Sequence, residues 1–330
     1  MKLHQLRYLV AVAENGLNIT AAAQKLHTSQ PGVSKQLKLL EEELGFQIFL
    51  REGRALTRVT PVGAQIVERA QRILHELKSI RRLSDDLKNE SGGQLSLGTT
   101  HAQARYVLPD VIREFRETYP NVKLHLHQGT SEQIAEMMDA DQVDFAIATG
   151  SWELFPEVVK VPCYRWHRAI VVPVGHPLAS EKKVSIKTLA QHPIITYTFS
   201  FSGSSSLHQT FAAAGLEPDI ALTARDADII KTYVRLGMGV GIIAPMAVDE
   251  ADTDLVVLDA AHIFAAHTTW IGFRRGLLLR KYMQEFIRLL APHADKRTVD
   301  RAREATNDAS VAKLFEGVEL PLRQASGATR

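Results

Sequence analysis

Gln30, Ser34, Lys35 and Lys38 place an amide, a hydroxyl and two ammonium groups within nine positions. On one helix face such groups reach base edges and phosphate oxygens together: Gln30 and Ser34 can read or touch bases, and Lys35 and Lys38 suit phosphates. A capped helix with a solvated face is the bland alternative. Arg51, Arg54 and Arg58 alternate around Gly53 between Phe49-Leu50 and Val59-Thr60, either lying along a backbone or minor groove or merely solvated. Farther on, Thr99-Thr100-His101-Ala102-Gln103 and the Phe199–Ser206 segment carry hydroxyls and turn N–H groups suited to a carboxylate or sulfate. Each loop alone could be simple capping; as a facing pair they point to binding.

The elements that must position the first set are legible. Leu3, Leu6, Leu9, Val10 and Ala13 form a stripe over Leu3–Glu14, and Ile19, Ala22, Ala23 and Leu26 a second. His27-Thr28 makes the turn, Ser29 is the N-cap, and Pro31 suits the first helical turn, where its missing N–H costs little. A third helix is expected from Gln30 to Leu44, stopping at Gly45, with Val33, Leu37, Leu40 and Leu44 inward. The basic hairpin Arg51–Pro61 follows as a wing. This is the layout of a winged helix-turn-helix, whose recognition helix enters the major groove; Gln30, Pro31, Ser34, Lys35, Lys38, Arg51, Arg54 and Arg58 are its candidate DNA contacts.

From Pro61 to Asn89 one long helix repeats Ile66, Ala70, Ile73, Leu77, Ile80, Ser84 and Leu87 at alternating four- and three-residue steps. The pattern asks for a partner helix, which would pair two winged domains on an inverted repeat; packing on its own chain is the competing reading.

After Ser91-Gly92-Gly93 strands and helices alternate. Expected are strands at Leu95–Gly98, Val122–His127 and Phe145–Ala148 with helices at Val107–Tyr119 and Ser131–Ala140. A second α/β unit spans Ala169–Val174, Pro193–Tyr197, a helix from about Ser204 to Gly215, Ile229–Arg235 and Val240–Ala244. A late strand at Trp270–Phe273 and a helix at Leu279–Leu290 return to the first unit. The expected domains are a winged head at 1–60 (all-α with a small β wing), a linker and dimerisation helix at 61–90, and an effector domain at 91–292. That last is two-lobed, α/β and periplasmic-binding-protein-like, with lobe I at about 91–165 and 266–292, lobe II at about 166–265, and a small ligand between them. Residues 293–330 read as a C-terminal tail that braces a subunit contact or trails.

The 330 residues exceed what a winged head and one helix need. Residues 1–90 hold 14 Lys+Arg against 10 Asp+Glu, and the remainder 25 against 27, so a chain coated by nucleic acid along its whole length is disfavoured. The single cysteine, Cys163, excludes an intrachain disulfide and a four-cysteine zinc site and reads as a buried strand-end residue. No G-x-S-x-G, H-E-x-x-H, Walker A or Rossmann fingerprint occurs, which argues against an enzyme. His125 and His127 share a strand face, as possible metal ligands or a plain strand pair. No secretory leader precedes the head and no apolar run reaches 18 residues, so a cytoplasmic protein without membrane contact is expected.

The chain resembles the LysR-type transcriptional regulators, and within them the cysteine-biosynthesis branch with its sulfonate-utilisation relatives. The resemblance runs from residue 1 to about 292. It rests on Met1-Lys2-Leu3 with Gln5-Leu6-Arg7-Tyr8, Thr28-Ser29-Gln30-Pro31-Gly32, Leu40-Glu41-Glu42-Glu43-Leu44-Gly45, Gln128-Gly129 and Gly272-Phe273-Arg274-Arg275. Thr99-Thr100-His101 with Gln103-Ala104-Arg105-Tyr106, and Asp228-Ile229-Ile230-Lys231-Thr232-Tyr233-Val234, narrow it to the branch.

The resemblance implies an activator that binds double-stranded promoter DNA as a homodimer or homotetramer and touches RNA polymerase. It implies no enzyme cofactor but a small effector, N-acetylserine or O-acetylserine, opposed by sulfate or thiosulfate. The effector would meet Thr100, Gln103, Thr149 and Ser202, with Ala102 beside them. The resemblance carries a departure at two positions: a member of the branch has threonine where this chain has Ala102 and Ser202. Serine keeps the hydroxyl; Ala102 removes one, worth about 0.5–1.5 kcal/mol if it bonded the ligand. Regulation of sulfonate or sulfate-ester utilisation, or a non-sulfur effector such as an aromatic acid, are the alternatives, the latter disfavoured by the polar loops.

Overall fold

The computed structural model describes residues 1–53, 55–88, 92–201 and 205–325. The chain divides into two compact units, Met1–Glu90 and Ser91–Arg330.

In the first unit α1 (Leu3–Glu14), α2 (Ile19–Lys25) and α3 (Gln30–Leu44) enclose a core of Leu6, Leu9, Ala22, Val33, Leu37 and Leu40. His27 adopts φ +51° in the turn before α3, a left-handed conformation that lets the chain reverse between the two helices. Ser29 Oγ accepts from Gly32 N, Pro31 sits in the first turn, and Gly45 ends the helix at φ +78°. The wing pairs β1 (Phe49–Glu52) with β2 (Ala55–Val59) antiparallel, with a register shift between Leu50 and Arg51.

Then α4 (Pro61–Lys88) begins. Thr60 Oγ1 donates to the Gln47 carbonyl and accepts from Gly63 N, both at 2.9 Å. Gly63 is required by close approach: a Cβ there would lie 2.2 Å from the Ile48 carbonyl oxygen. Along α4, Ile66, Val67, Ala70 and Leu74 pack on the unit's own core, while Ile73 and Ile80 are exposed. The early positions of the apolar stripe thus turn to the chain's own core, and Ile73 and Ile80 lie open. The side chains of Ser84 and Leu87 lie outside the described residues.

The second unit holds two five-stranded sheets. Lobe I runs β3 (Gly93–Thr99), α5 (His101–Tyr106), α6 (Leu108–Thr118), β4 (Val122–Gln128), α7 (Ser131–Asp139), β5 (Phe145–Thr149) and β6 (Val158–Trp166). The chain crosses into lobe II through β7 (Ala169–Pro173), α8 (Ile186–Leu189), β8 (Ile194–Tyr197), α9 (Ser206–Ala213), β9 (Ile220–Ala224), α10 (Ala227–Arg235), β10 (Val240–Ile243) and β11 (Leu255–Asp259). It returns by β12 (His267–Arg274) to α11 (Lys281–Leu290). The sheet orders are β4-β3-β5-β12-β6 and β11-β7-β10-β8-β9. His167 Nδ1 meets the Phe264 carbonyl at 3.0 Å, tying the two crossing segments together.

Beyond Leu290, α12 (Lys296–Glu304) and α13 (Asp308–Leu314) add buried Val299, Ala302 and Val311 to the lobe I core. Asp308 pairs with the buried Lys160 of β6 at 2.7 Å. Residues 321–323 then bond along the edge of β6, where Arg165 N donates to the Pro321 carbonyl at 2.9 Å. No helix among the described residues is long and apolar enough to cross a membrane.

Candidate nucleic-acid interface and ligand cleft

On α3 the side chains of Gln30, Pro31, Lys35 and Lys38 are exposed and Ser34 is half-buried, all on the early turns, while Val33 and Leu37 anchor the opposite face. Lys38 also reaches Glu42 one turn on, at 3.7 Å, a solvated pair of little energetic weight. Arg58 is exposed on β2 across from Leu50. Arg54 lies outside the described residues. Arg51 is engaged inside the unit: its Nη2 lies 3.2 Å from Glu41 Oε2.

Glu41 is the residue whose role the sequence did not signal. Nine-tenths buried, it accepts from Ile48 N at 2.9 Å and Phe49 N at 3.0 Å through Oε1. One carboxylate thus fastens the wing to the last turns of α3, so the wing's position is set by the same helix that carries Gln30.

The second constellation lies in lobe I at the carboxyl ends of the neighbouring parallel strands β3 and β5. Their register pairs Thr99 with Ile147, which brings Thr149 level with the start of α5. Thr100, Ala102, Gln103 and Thr149 therefore share one rim. Thr99 is fully buried and donates to the Ile147 carbonyl at 3.1 Å, fixing the strand end beneath them. Gln103 is buried, its Oε1 accepting from the Tyr164 hydroxyl. Thr149 and Thr269 share a hydroxyl–hydroxyl bond of 2.8 Å, and Trp166 Nε1 donates to Thr269 at 3.1 Å. Ser202 lies outside the described residues. Its flanks are ordered by lobe II: Tyr197 ends β8, Phe199 stacks on Tyr197 at 4.9 Å, and Ser205 caps α9.

A hydrogen bond between Tyr106 and Asp228 links the two lobes. The Tyr106 hydroxyl donates to Asp228 Oδ1 at 2.6 Å, and Arg105 lies 3.7 Å from the same carboxylate. Burial, which would raise the Asp228 carboxyl, is overridden by Tyr106, Lys231 and Arg105, and it titrates below its ordinary value. Burial and the Asp228 bond drive the Tyr106 phenol upward, so it stays a donor.

His125 and His127 lie on β4, exposed and half-buried respectively. Among the described residues the one group with ligand atoms close enough for a metal is His101 with Asp226 and Asp228, and Asp226 already caps α10. Cys163 is a free thiol buried in the interior of β6, its ionisation pushed up by burial.

A winged head whose reading helix is exposed, followed by a two-lobed α/β sensor with a polar rim, defines a ligand-responsive DNA-binding regulator. Residues 3–64 match the model of the bacterial regulatory helix-turn-helix protein, lysR family, and residues 88–295 that of the LysR substrate binding domain. The chain belongs to the LysR family of transcriptional regulators. It is 47% identical over 320 residues to the HTH-type transcriptional regulator CysB of Haemophilus influenzae, covering 97% of this chain and 99% of that one. It is 44% identical over 297 residues to the regulator SsuR of Burkholderia cenocepacia, covering 90% and 96%. The crystal structure of the cofactor-binding domain of the Cbl transcriptional regulator superposes with a TM-score of 0.62 at 39% identity, covering 66% of this chain and 96% of that domain.

Proposed function

We propose that this protein regulates sulfur-assimilation and cysteine-biosynthesis promoters in the cytoplasm, switched by N-acetylserine or O-acetylserine and opposed by sulfate or thiosulfate. The observation that supports the ligand reading is the strand register: β3 and β5 run parallel and end side by side, which puts Thr149 level with the Thr100–Gln103 segment about fifty residues earlier. Ala102 stands on the same rim, and Ser202 would approach from lobe II. Gln30, Pro31, Ser34, Lys35, Lys38, Arg54 and Arg58 are the proposed DNA contacts, with Arg51 acting through its pair with Glu41. The working units are a head at 1–60, a linker helix at 61–90 that pairs two heads in a dimer or tetramer, and an effector domain at 91–292. Residues 293–330 follow as a C-terminal segment whose helices belong to the lobe I core.

In the mechanism, ligand between the lobes changes their relative angle, and the change passes to the spacing of paired heads, altering DNA bending and contact with RNA polymerase. No bond of the ligand is broken. Ala102, where a member of the branch has threonine, keeps as a second reading a regulator of sulfonate or sulfate-ester utilisation.

Calorimetric titration of the purified chain with N-acetylserine, O-acetylserine, sulfate and thiosulfate, in separate runs, tests the assignment. Saturable heat with an acetylserine supports the cysteine-pathway reading; heat with the anions alone transfers support to the second, and heat with none removes both.

A further inference from the structure

The five proposed effector contacts, Thr100, Ala102, Gln103, Thr149 and Ser202, are all uncharged, yet the ligands in question are anions. Neutral donors and helix N-termini can hold such anions, and a cation close by would strengthen that hold. Arg168, in the crossing between β6 and β7, is 3% exposed. Its Nη2 donates to Ser206 Oγ at 3.3 Å, while Nε and Nη1 are sealed from solvent without an acceptor among the described residues. No carboxylate among the described residues lies within ion-pair distance of it. A buried guanidinium without a counter-ion is costly, and burial moves its ionisation down to about 10, so it is still a cation at neutral pH.

A second orphan lies six residues before the serine that Arg168 touches. Ser200 is fully buried and its Oγ has no partner, although its carbonyl accepts from Ser205 Oγ at 2.7 Å. Ser205 is the N-cap of α9, whose first residue is the Ser206 that Arg168 touches, so the positive end of that eight-residue helix lies against the same guanidinium. The remaining neighbours add no negative charge. His267 Nε2 lies 3.4 Å from Ser206 Oγ, and burial together with Arg168 and His167 moves its ionisation down to about 4, keeping it neutral. The His267 ring packs on Trp166 at 4.7 Å, and Trp166 bonds Thr269, which bonds Thr149. A continuous chain of contacts thus runs from the lobe I rim to Arg168.

We propose that Arg168, with the Ser200 hydroxyl and the first turn of α9, is the seat for a small oxyanion, a sulfate or carboxylate group, and supplies the counter-charge that the neutral rim lacks. This rests on the effector reading above for where the rest of the ligand lies, but the anion seat itself is separable from it.

Thermal unfolding of the full-length chain with inorganic sulfate, or with sodium acetate, against chloride at matched ionic strength is the test. Sulfate is expected to raise the midpoint of the parent protein and not that of Arg168→Met; a rise with acetate as well assigns the seat to carboxylates too. Arg168→Lys keeps the charge with fewer donors and guards against misfolding of the methionine variant. It should weaken sulfate by about tenfold, and Ser200→Ala by less. A sulfate effect equal in parent and Arg168→Lys, or no effect of either anion on the parent, overturns the seat. If N-acetylserine leaves DNA binding unchanged while the Arg168-dependent sulfate shift persists, the effector reading fails and the seat stands.

Discussion

The Tyr106 hydroxyl of lobe I donates to the Asp228 carboxylate of lobe II across 2.6 Å, joining residues 122 positions apart. These two residues belong to the two segments, Thr99–Tyr106 and Asp228–Val234, on which the resemblance to the branch was narrowed, and the structure brings them into contact. Lys231, buried beneath, sits 5.5 Å from the Tyr106 ring centre and 3.5 Å from Asp228. Tyr106→Phe deletes the donor while keeping the ring. Because Asp228 is partly solvated, the loss of stability is expected to be about 1 kcal/mol, below the usual range for a charged bond. Urea denaturation reads that loss, and an effector titration of the same variant should shift, since the bond biases the lobes toward one angle.

Acid sensitivity should originate at the same junction. Asp252 is buried and takes Lys231 at 2.7 Å and Arg235 at 2.6 Å. Burial would raise its carboxyl, but these two cations hold it below the ordinary value near 4. A carboxyl depressed on folding contributes stability that is present above its unfolded value and is lost as pH falls through its folded value. The unfolding midpoint should therefore decline below about pH 4. Asp252→Asn should be less stable at neutral pH and show a flatter acid limb; an unchanged limb would remove Asp252 from the account.

The wing depends on Glu41. Glu41→Ala orphans two buried N–H groups and the Arg51 guanidinium, with an expected cost of about 2–4 kcal/mol. Arg51→Ala should lower stability along with DNA affinity, whereas Arg58→Ala, on an exposed strand position, should lower affinity alone. Parallel denaturation and DNA titrations of the two arginine variants separate the roles.

Base reading and phosphate contact should divide along α3. Lys35→Ala is expected to weaken binding similarly on all sequences and to reduce the salt slope by about 1. Gln30→Ala should instead relax discrimination at one base position, at about 1–3 kcal/mol. Fluorescence anisotropy with cognate and scrambled duplexes over a salt series distinguishes them.

Much of the head was legible because its signals are local. Ser29, Pro31 and Gly45 each mark a helix end by their own chemistry, and α3 starts and stops where they predict. In the second unit the apolar runs gave the inner strands, but β9 and β11 were not legible, and of β6 only a strand end was, at Cys163, which lies in the strand's interior. Pro162 interrupts its pattern and is accommodated at a register shift opposite Trp270. The short helix α5 has no apolar stripe, and its position follows from the end of β3. Helices α12 and α13 bury few apolar side chains; the available clues were their caps, Asp295 and Asn307, each accepting an N–H at 2.8 Å. The rim residues Thr100 and Gln103 could be inferred from a polar loop after a strand. Arg168 could not, because a lone arginine between two apolar strands reads as a turn, and its orphaned donors appear only once Ser206 and His267 are folded around it.

The central claim is that a ligand in the second unit changes how the first unit holds DNA. Footprinting of the full-length protein on a duplex carrying an inverted repeat, with and without N-acetylserine and again with sulfate, tests it most directly. An extended or shortened protected region, or altered cleavage between the half-sites, is the predicted result with acetylserine, with sulfate opposing it. Identical footprints under all conditions, at concentrations where calorimetry shows the site filled, would contradict the account.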